Sequence, residues 1–318
     1  MSLIDNNISL QAAQSARKPA VKKRSLTSVQ WREIILAYVF LAPSLALFGI
    51  FLFYPMIKSV YLSFQLTDPR GRVAAFAGWD NYIELFTSDK FYQSLKVTLS
   101  FTLLTVPLGI LIALVLAALT HNKLRGMRWF QLAFSMPVAV SVGTGSIIWM
   151  VLFHPTLGTL NYFLTLIGLQ PVGWLTDPAL AIFAVSMMTI WMNLGFNYIV
   201  LLSGLQGVPD EIYESAKIDG SGPLRTFFRI TLPLVSPTLF FVGIVSVISA
   251  FQSFGQIHIL TKGGPINTTD VIVFNIYQDA FVNFRFGIGS AQALVLFAII
   301  LILTIVQFRY FERKVHYQ

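Results

Sequence analysis

The 318-residue chain has no cysteine, which excludes disulfides, thiolate metal sites and cysteine nucleophiles. Charge is scarce as well: Asp, Glu, Lys and Arg make up 11% of positions, against about 25% in a soluble domain. With 55% hydrophobic residues and a mean hydropathy of +0.70, this is the composition of a membrane chain. The four histidines, His121, His154, His258 and His316, are scattered and lie outside the long apolar runs, so no acid–base or metal constellation forms. No Gly-x-x-x-x-Gly-Lys-Ser/Thr pattern occurs, so the chain is not expected to hold ATP in a P-loop. No cleavable signal peptide is evident, because the first apolar run begins near Ile34, is too long for an h-region and has no small-residue cleavage site after it. The first span is expected to be its own uncleaved insertion signal.

What the sequence does contain is six apolar runs, at about 34–57, 97–120, 129–153, 179–204, 234–257 and 288–308, each free of Asp, Glu, Lys, Arg and His. A bilayer core about 30 Å thick needs roughly 20 apolar residues per helix, and each run meets that length. A barrel would show segments of about ten residues with alternating polarity instead. The expected fold is an all-α membrane protein with six transmembrane helices.

The net charge of +8 invites a nucleic-acid partner until the cations are placed on the loops. With the N-terminus inside, Arg17, Lys18, Lys22, Lys23, Arg24, Arg32, Lys123, Arg125, Arg128, Lys217, Arg225, Arg229, Arg309, Arg313 and Lys314 are cytoplasmic, fifteen of the 22 Lys and Arg. Lys58, Arg70, Arg72, Lys90, Lys96, Lys262 and Arg285 fall on the other side, and the loop at 154–178 has none. The positive-inside rule then puts both termini in the cytoplasm, and the basic charge is accounted for by membrane topology without nucleic acid.

Residues 1–26 read as a basic, disordered cytoplasmic tail, and 27–318 as the membrane domain. The outer loop at 64–93 holds the turn signal Asp68-Pro69-Arg70-Gly71 and the aromatic stretch Phe76-Ala-Gly78-Trp79-Asp80-Asn81-Tyr82, which suggest a folded external cap. Pro43, Pro107, Pro137 and Pro237 lie inside runs, where each frees a carbonyl that neighbouring helices must satisfy.

Between the fourth and fifth runs lies a charged, glycine-punctuated island, within the loop 205–233. Pro209, Asp210 and Glu211 suit a helix start, since the proline lacks an N–H and the acids favour the positive end of the dipole. A short helix from Pro209 to Ile218 is expected, ended by Gly220 as a left-handed cap. Gly222-Pro223 turns the chain into a second short helix, Leu224–Ile230, which Pro233 stops. Glu211, Glu214 and Lys217 mark one side of the first helix, and Tyr213, Ala216 and Ile218 supply an apolar side. Such a helix can enter a groove on a partner or rest on lipid headgroups.

Glu214-Ser215-Ala216, three residues, Gly220, nine residues, Ile230, one residue and Leu232-Pro233 resemble the EAA loop of ABC importer permeases, with Ser215 in place of the family's first alanine. Thr261-Lys-Gly263-Gly264-Pro265, followed by Thr268 or Thr269, Tyr277 and Ala280-Phe281, resembles the external segment of carbohydrate-type permeases. The stretch Phe76–Tyr82 is similar to their first outer loop. The tail Gln307–Gln318 resembles the A-type subunit of glycerol-3-phosphate importers. The resemblance covers about residues 34–318 and implies a type I ABC importer permease. It also implies a second, homologous permease, two copies of a cytoplasmic ABC ATPase, and an extracytoplasmic solute-binding protein. By position, Glu214, Ser215, Ala216, Asp219, Gly220, Ile230, Leu232 and Pro233 would form the ATPase-coupling element in a bacterial or archaeal inner membrane. ATP and Mg would belong to the ATPase, with no cofactor in this chain.

Polar groups inside spans are costly in lipid and usually face a cavity. The fourth run offers Trp191, Asn193, Asn197 and Tyr198, and the fifth offers Ser249, Phe251, Gln252, Ser253, Phe254 and Gln256. Asn193 and Asn197 share a face at i, i+4, as would Gln252 and Gln256. Amides and hydroxyls beside aromatics suit sugars, and they equally suit packing between helices. The absence of Arg and Lys from the runs leans towards neutral sugars, while the tail resemblance leans towards glycerol-3-phosphate. The alternative is an ion-coupled secondary transporter of sugars, although the membrane-embedded acids of a proton relay are absent.

Overall fold

The computed structural model describes residues 28–121 and 124–311. The tail at 1–26, Lys123 and the residues after Phe311 lie outside that set. The chain divides into two compact units, 1–57 and 58–318.

In the first unit, α1 (Ser28–Phe48) passes through a π turn, Gly49–Phe53, into α2 (Tyr54–Leu62), whose end belongs to the second unit. The N–H of Tyr54 bonds the carbonyl of Gly49, one residue wider than an α turn, directly before Pro55. A proline ring clashes with the carbonyl four residues back, and the widened turn accommodates it without ending the helix.

The second unit opens with a small folded cap, on the segment expected from the sequence to be an external loop. Strands β1 (Gln65–Thr67) and β2 (Val73–Phe76) pair antiparallel, with Gln65 opposite Phe76 and a bulge between Leu66 and Thr67. Asp68 Oδ1 accepts from the N–H of Arg70 at 3.0 Å and of Arg72 at 2.7 Å, and Gly71 sits at φ +76°, which closes the turn. In α3 (Asp80–Thr87) the buried Asn81 donates to the carbonyls of Ser63 and Gln65, and Trp79 and Tyr82 pack on Phe64. Helix α4 (Asp89–Thr120) follows.

The third run is bent far more than the break expected at Pro137. It forms α5 (Met127–Ser135), a 3-10 turn at Met136–Ala139 and α6 (Val142–Leu152), and the two helices are bent by 105°. Pro137 cannot continue an α ladder, Val140 is extended, and Ser141 restarts the helix by accepting from the N–H of Thr144 at 3.2 Å. Then come α7 (Thr159–Leu166) and α8 (Ala181–Gln206).

The island forms α9 (Asp210–Ile218), α10 (Pro223–Thr226), a π turn at Phe227–Thr231 and α11 (Leu232–Leu234). Pro233 does not stop the second helix, because a widened turn again precedes it: the N–H of Leu232 bonds the carbonyl of Phe227. The interruption comes at Val235, just ahead of Pro237, which lies in the first turn of α12 (Ser236–Phe251). The chain then breaks at Gln252–Phe254 before α13 (Gly255–Leu260), so Gln252 and Gln256 do not share a continuous helical face. His258 stands inside this fifth stretch, Ser236–Leu260, and not outside the spans. Finally, α14 (Ile272–Tyr277) and a third π turn, Gln278–Val282, lead to α15 (Phe286–Phe311).

Among the described residues, five helical stretches are long and apolar enough to cross a membrane, and the bent pair brings the number to six if it is one span. Helices α4 and α8 form the centre of the second unit, where Ala113 and Ala117 are fully buried against Tyr198, Leu201 and Leu205. Thr98, Thr102 and Thr105 are buried in α4 and satisfy their hydroxyls on the carbonyls four residues back.

Candidate functional site: a projecting helix and a polar cavity

Helix α9 ends in two backbone bonds that together make a Schellman cap. The N–H of Gly220 bonds the carbonyl of Lys217 at 3.0 Å, and that of Ser221 bonds the carbonyl of Ala216 at 2.9 Å. Gly220 has φ +71°, where a β-carbon costs energy, yet apart from its immediate chain neighbours no atom of the described residues lies within 4 Å of where that carbon would be. The requirement for glycine inside this chain is therefore conformational.

The buried side of α9 carries Ala216, at 4% exposure, with half-buried Ile212 and Tyr213 against the α4–α8 core. Glu211, Glu214, Ser215, Lys217, Asp219 and Gly220 are exposed. Ile218 does not join the apolar side as expected; it is 86% exposed. At 100° per residue it lies about 140° around the helix from Tyr213, so it faces outward. Leu224 and Phe228 are also exposed, which leaves apolar surface at the tip of the island. Ile230, Leu232 and Pro233 are half-buried at its base.

The residues proposed for a solute path separate into two sets. Asn193, Gln252, Phe254 and Gln256 line one cavity of about 250 Å³, together with Thr189, Met192, Ser249, Ser253, Gly255 and Val142. The break at Gln252–Phe254 forms part of its wall, as non-helical backbone at membrane depth does when it borders a cavity. Gln256 Nε2 donates to Thr189 Oγ1 at 3.3 Å, and the Phe254 ring stacks on His258 at 5.2 Å. No Lys, Arg, Asp or Glu is among the lining residues. Thr189 and Met192 were missed by sequence reasoning; the i, i+4 relation of Thr189 to Asn193 is a helical signal that would have found it, whereas Met192, next to Asn193 in the chain, carries none.

The other four make contacts inside the chain. Trp191 packs on Trp149 at 6.0 Å, and Asn197 Oδ1 accepts from Ser246 Oγ at 3.4 Å. Tyr198 is fully buried with its hydroxyl 2.6 Å from Thr120 Oγ1. Phe251 is 1% exposed among Leu85, Phe91, Ile272 and Leu296. At the opposite end of the fifth stretch from the island, Thr261–Pro265 forms a tight turn. Gly263 sits at φ +81°, and Thr269 Oγ1 donates to the carbonyl of Gly264 at 2.7 Å. A β-carbon on Gly263 would come within 2.7 Å of the Phe274 ring. Among the described residues, no group of three or more His, Cys, Asp or Glu could hold a metal ion.

Apolar helices, a capped helix–turn–helix projecting between two of them and a polar cavity among them define the membrane component of a transporter. Residues 98–317 match the model of the family described as binding-protein-dependent transport system inner membrane component, and the chain belongs to that family. It is a permease of the ABC importer class, a multi-pass inner-membrane protein, which sets aside the ion-coupled alternative. The sn-glycerol-3-phosphate transport system permease protein UgpA of Yersinia enterocolitica is 35% identical over 286 residues, covering 89% of this chain and 96% of that one. UgpA of Agrobacterium fabrum is also 35% identical, over 92% of this chain and 100% of that one. A solved bacterial ABC transporter for import of the acidic polysaccharide alginate superposes with a TM-score of 0.80 at 26% identity, covering 89% of this chain and 98% of that one. The alginate ABC transporter in complex with its alginate pentasaccharide-bound periplasmic protein gives 0.79 at 26%, over 89% and 97%.

Proposed function

We propose that the chain forms half of the translocation path of an ATP-driven, binding-protein-dependent importer for a carbohydrate-class solute, a sugar or glycerol-3-phosphate. A second, homologous permease supplies the other half. Two copies of a separate cytoplasmic ATPase bind and hydrolyse ATP with Mg, and an extracytoplasmic binding protein delivers the solute. Both termini and α9 face the cytoplasm in this reading, which rests on the distribution of Lys and Arg among the loops.

The observation that carries the coupling role is the outward face of α9. Glu214, Ser215, Asp219 and Gly220 are exposed beside Ile218, Leu224 and Phe228 on a helix whose end is fixed by its backbone cap. A rigid helix with polar and apolar groups open at its tip suits the groove of a partner. Closure of the ATPase pair then draws two such helices together, and rigid-body rocking of the bundles moves the opening from one side to the other.

The cavity supports the solute class. Amides of Asn193, Gln252 and Gln256 and hydroxyls of Thr189, Ser249 and Ser253 match the hydroxyls that sugars and glycerol phosphates share, with Phe254 for an apolar face. Any cation that meets a phosphate comes from outside this cavity lining. The test is uptake into membrane vesicles holding this chain with the products of its neighbouring reading frames, using labelled sn-glycerol-3-phosphate and labelled maltose. ATP-dependent uptake of either supports the reading. Uptake driven by a proton or sodium gradient without ATP overturns it.

A further inference from the structure

Two carboxylates are buried between the Thr261–Pro265 turn and α15: Asp270 is 4% exposed and Asp279 8%. They are joined through amides. Asn275 Nδ2 donates to Asp270 Oδ2 at 3.4 Å, and Gln292 Nε2, on α15, donates to Asn275 Oδ1 at 3.3 Å and to Asp279 Oδ2 at 2.7 Å. Asn283 Nδ2 donates to Asp279 Oδ1 at 3.2 Å. These contacts tie the segment 261–283 to α15. Neither carboxylate forms an ion pair among the described residues, and Asp270 Oδ1 is buried with no hydrogen-bond partner there. A buried acceptor without a donor is costly, and more so when the group is charged.

We propose that this cluster is a proton-operated latch, in which a proton taken up by Asp270 tightens the hold of segment 261–283 on α15 and its loss loosens that hold. A proton on Asp270 removes the uncompensated buried charge and the repulsion from Asp279, and turns the carboxyl into a donor. The charged and titratable groups around it are few. Helix α4 brings Lys90, the π turn brings Asp279, and α15 brings the uncharged Gln292. From α13 comes His258, whose ring lies 6.0 Å from that of Phe274, against which Gly263 packs. Lys262, on the preceding turn, is exposed.

Burial raises the Asp270 carboxyl to about 6; Lys90 and the Asn275 hydrogen bond oppose the rise and Asp279 adds to it. The folded-state value is thus above the ordinary 3.8. Stabilisation is complete below that ordinary value and is lost as pH rises through about 6. The placement of the latch on the outer face rests on the topology proposed above; its protonation does not.

The test is hydrogen exchange on the full-length chain in lipid nanodiscs, corrected for intrinsic exchange rates. Amides at 270–283 should be about tenfold better protected at about pH 5 than at about pH 7.5. Asp270→Asn should hold the protected state at both pH values. Asp279→Asn should keep the response and move its midpoint to lower pH, because the like charge is gone. Equal protection of the wild type at both pH values overturns the latch. So does an Asp270→Asn chain that keeps the wild-type response, or an Asp279→Asn chain whose midpoint does not move. Raising external pH alone in sided vesicles separates the two readings: a response only to internal pH reverses the topology and leaves the latch intact.

Discussion

A β-carbon on Gly195 would lie 2.5 Å from the backbone nitrogen of Val138 and 2.7 Å from the carbonyl oxygen of Ser135. Helix α8 and the 3-10 turn that bends the third run therefore meet backbone to backbone. Backbone cannot rotate aside as a side chain can, so Gly195→Ala should destabilise the protein by about 1–3 kcal/mol, the usual range for overpacking. Thermal unfolding in nanodiscs would measure it. An unchanged midpoint would mean that the two elements are not held this closely.

Gly220 gives the opposite case. Its β-carbon position is open within this chain and its left-handed backbone is one that Asn and Asp adopt more readily than other residues. Gly220→Asp should leave the chain inserted in the membrane at wild-type level and block uptake, since in the proposed assembly what the new side chain meets belongs to the ATPase. Normal uptake by this variant would remove α9 from the coupling role.

Tyr198 and Thr120 join α8 to α4, and the two ends of the bond are not equivalent. Thr120 Oγ1 also donates to the carbonyl of Leu116 at 2.7 Å, so it keeps a partner when the phenol is removed. Tyr198→Phe should cost about 0.5–1.5 kcal/mol, and Thr120→Val, which strands the buried phenol, about 1–3 kcal/mol. The KM for solute should not change in either. A raised KM in Tyr198→Phe with unaltered stability would return Tyr198 to the solute path.

Gln252 and Asn193 are the converse pair. Both border the cavity, and Gln252 is exposed. Gln252→Leu and Asn193→Leu should lower uptake with thermal stability within about 0.5 kcal/mol of wild type, as substitutions away from packed contacts usually are. A loss of stability without a change in uptake would assign the amides to packing.

The membrane class, the presence of five to six long apolar helices and the Gly220 cap were legible because each depends on local features: run length, absence of charge, and a glycine after a periodic segment. The bend after Ser135 was less so. Pro137 signalled a disruption, but its size follows from the extended Val140 and the new start at Ser141. Tyr198 and Gln256 look alike in a sequence, as polar groups in apolar helices. What separates them is Thr120, 78 residues away, and the break at Gln252–Phe254, neither of which a local pattern reports. Ile218 is apolar by type alone: at the end of a short helix, its angle from Tyr213 carries it away from the buried side.

The wide turn at Phe227–Thr231 carries one surplus residue ahead of Pro233. A surplus residue shifts the phase of all that follows by about 100° relative to an uninterrupted α-helix. That phase carries as far as Leu234, because the helix is interrupted at Val235 and α12 starts anew at Ser236. One residue thus decides which sides of Leu232 and Pro233, at the base of the island, meet the rest of the chain.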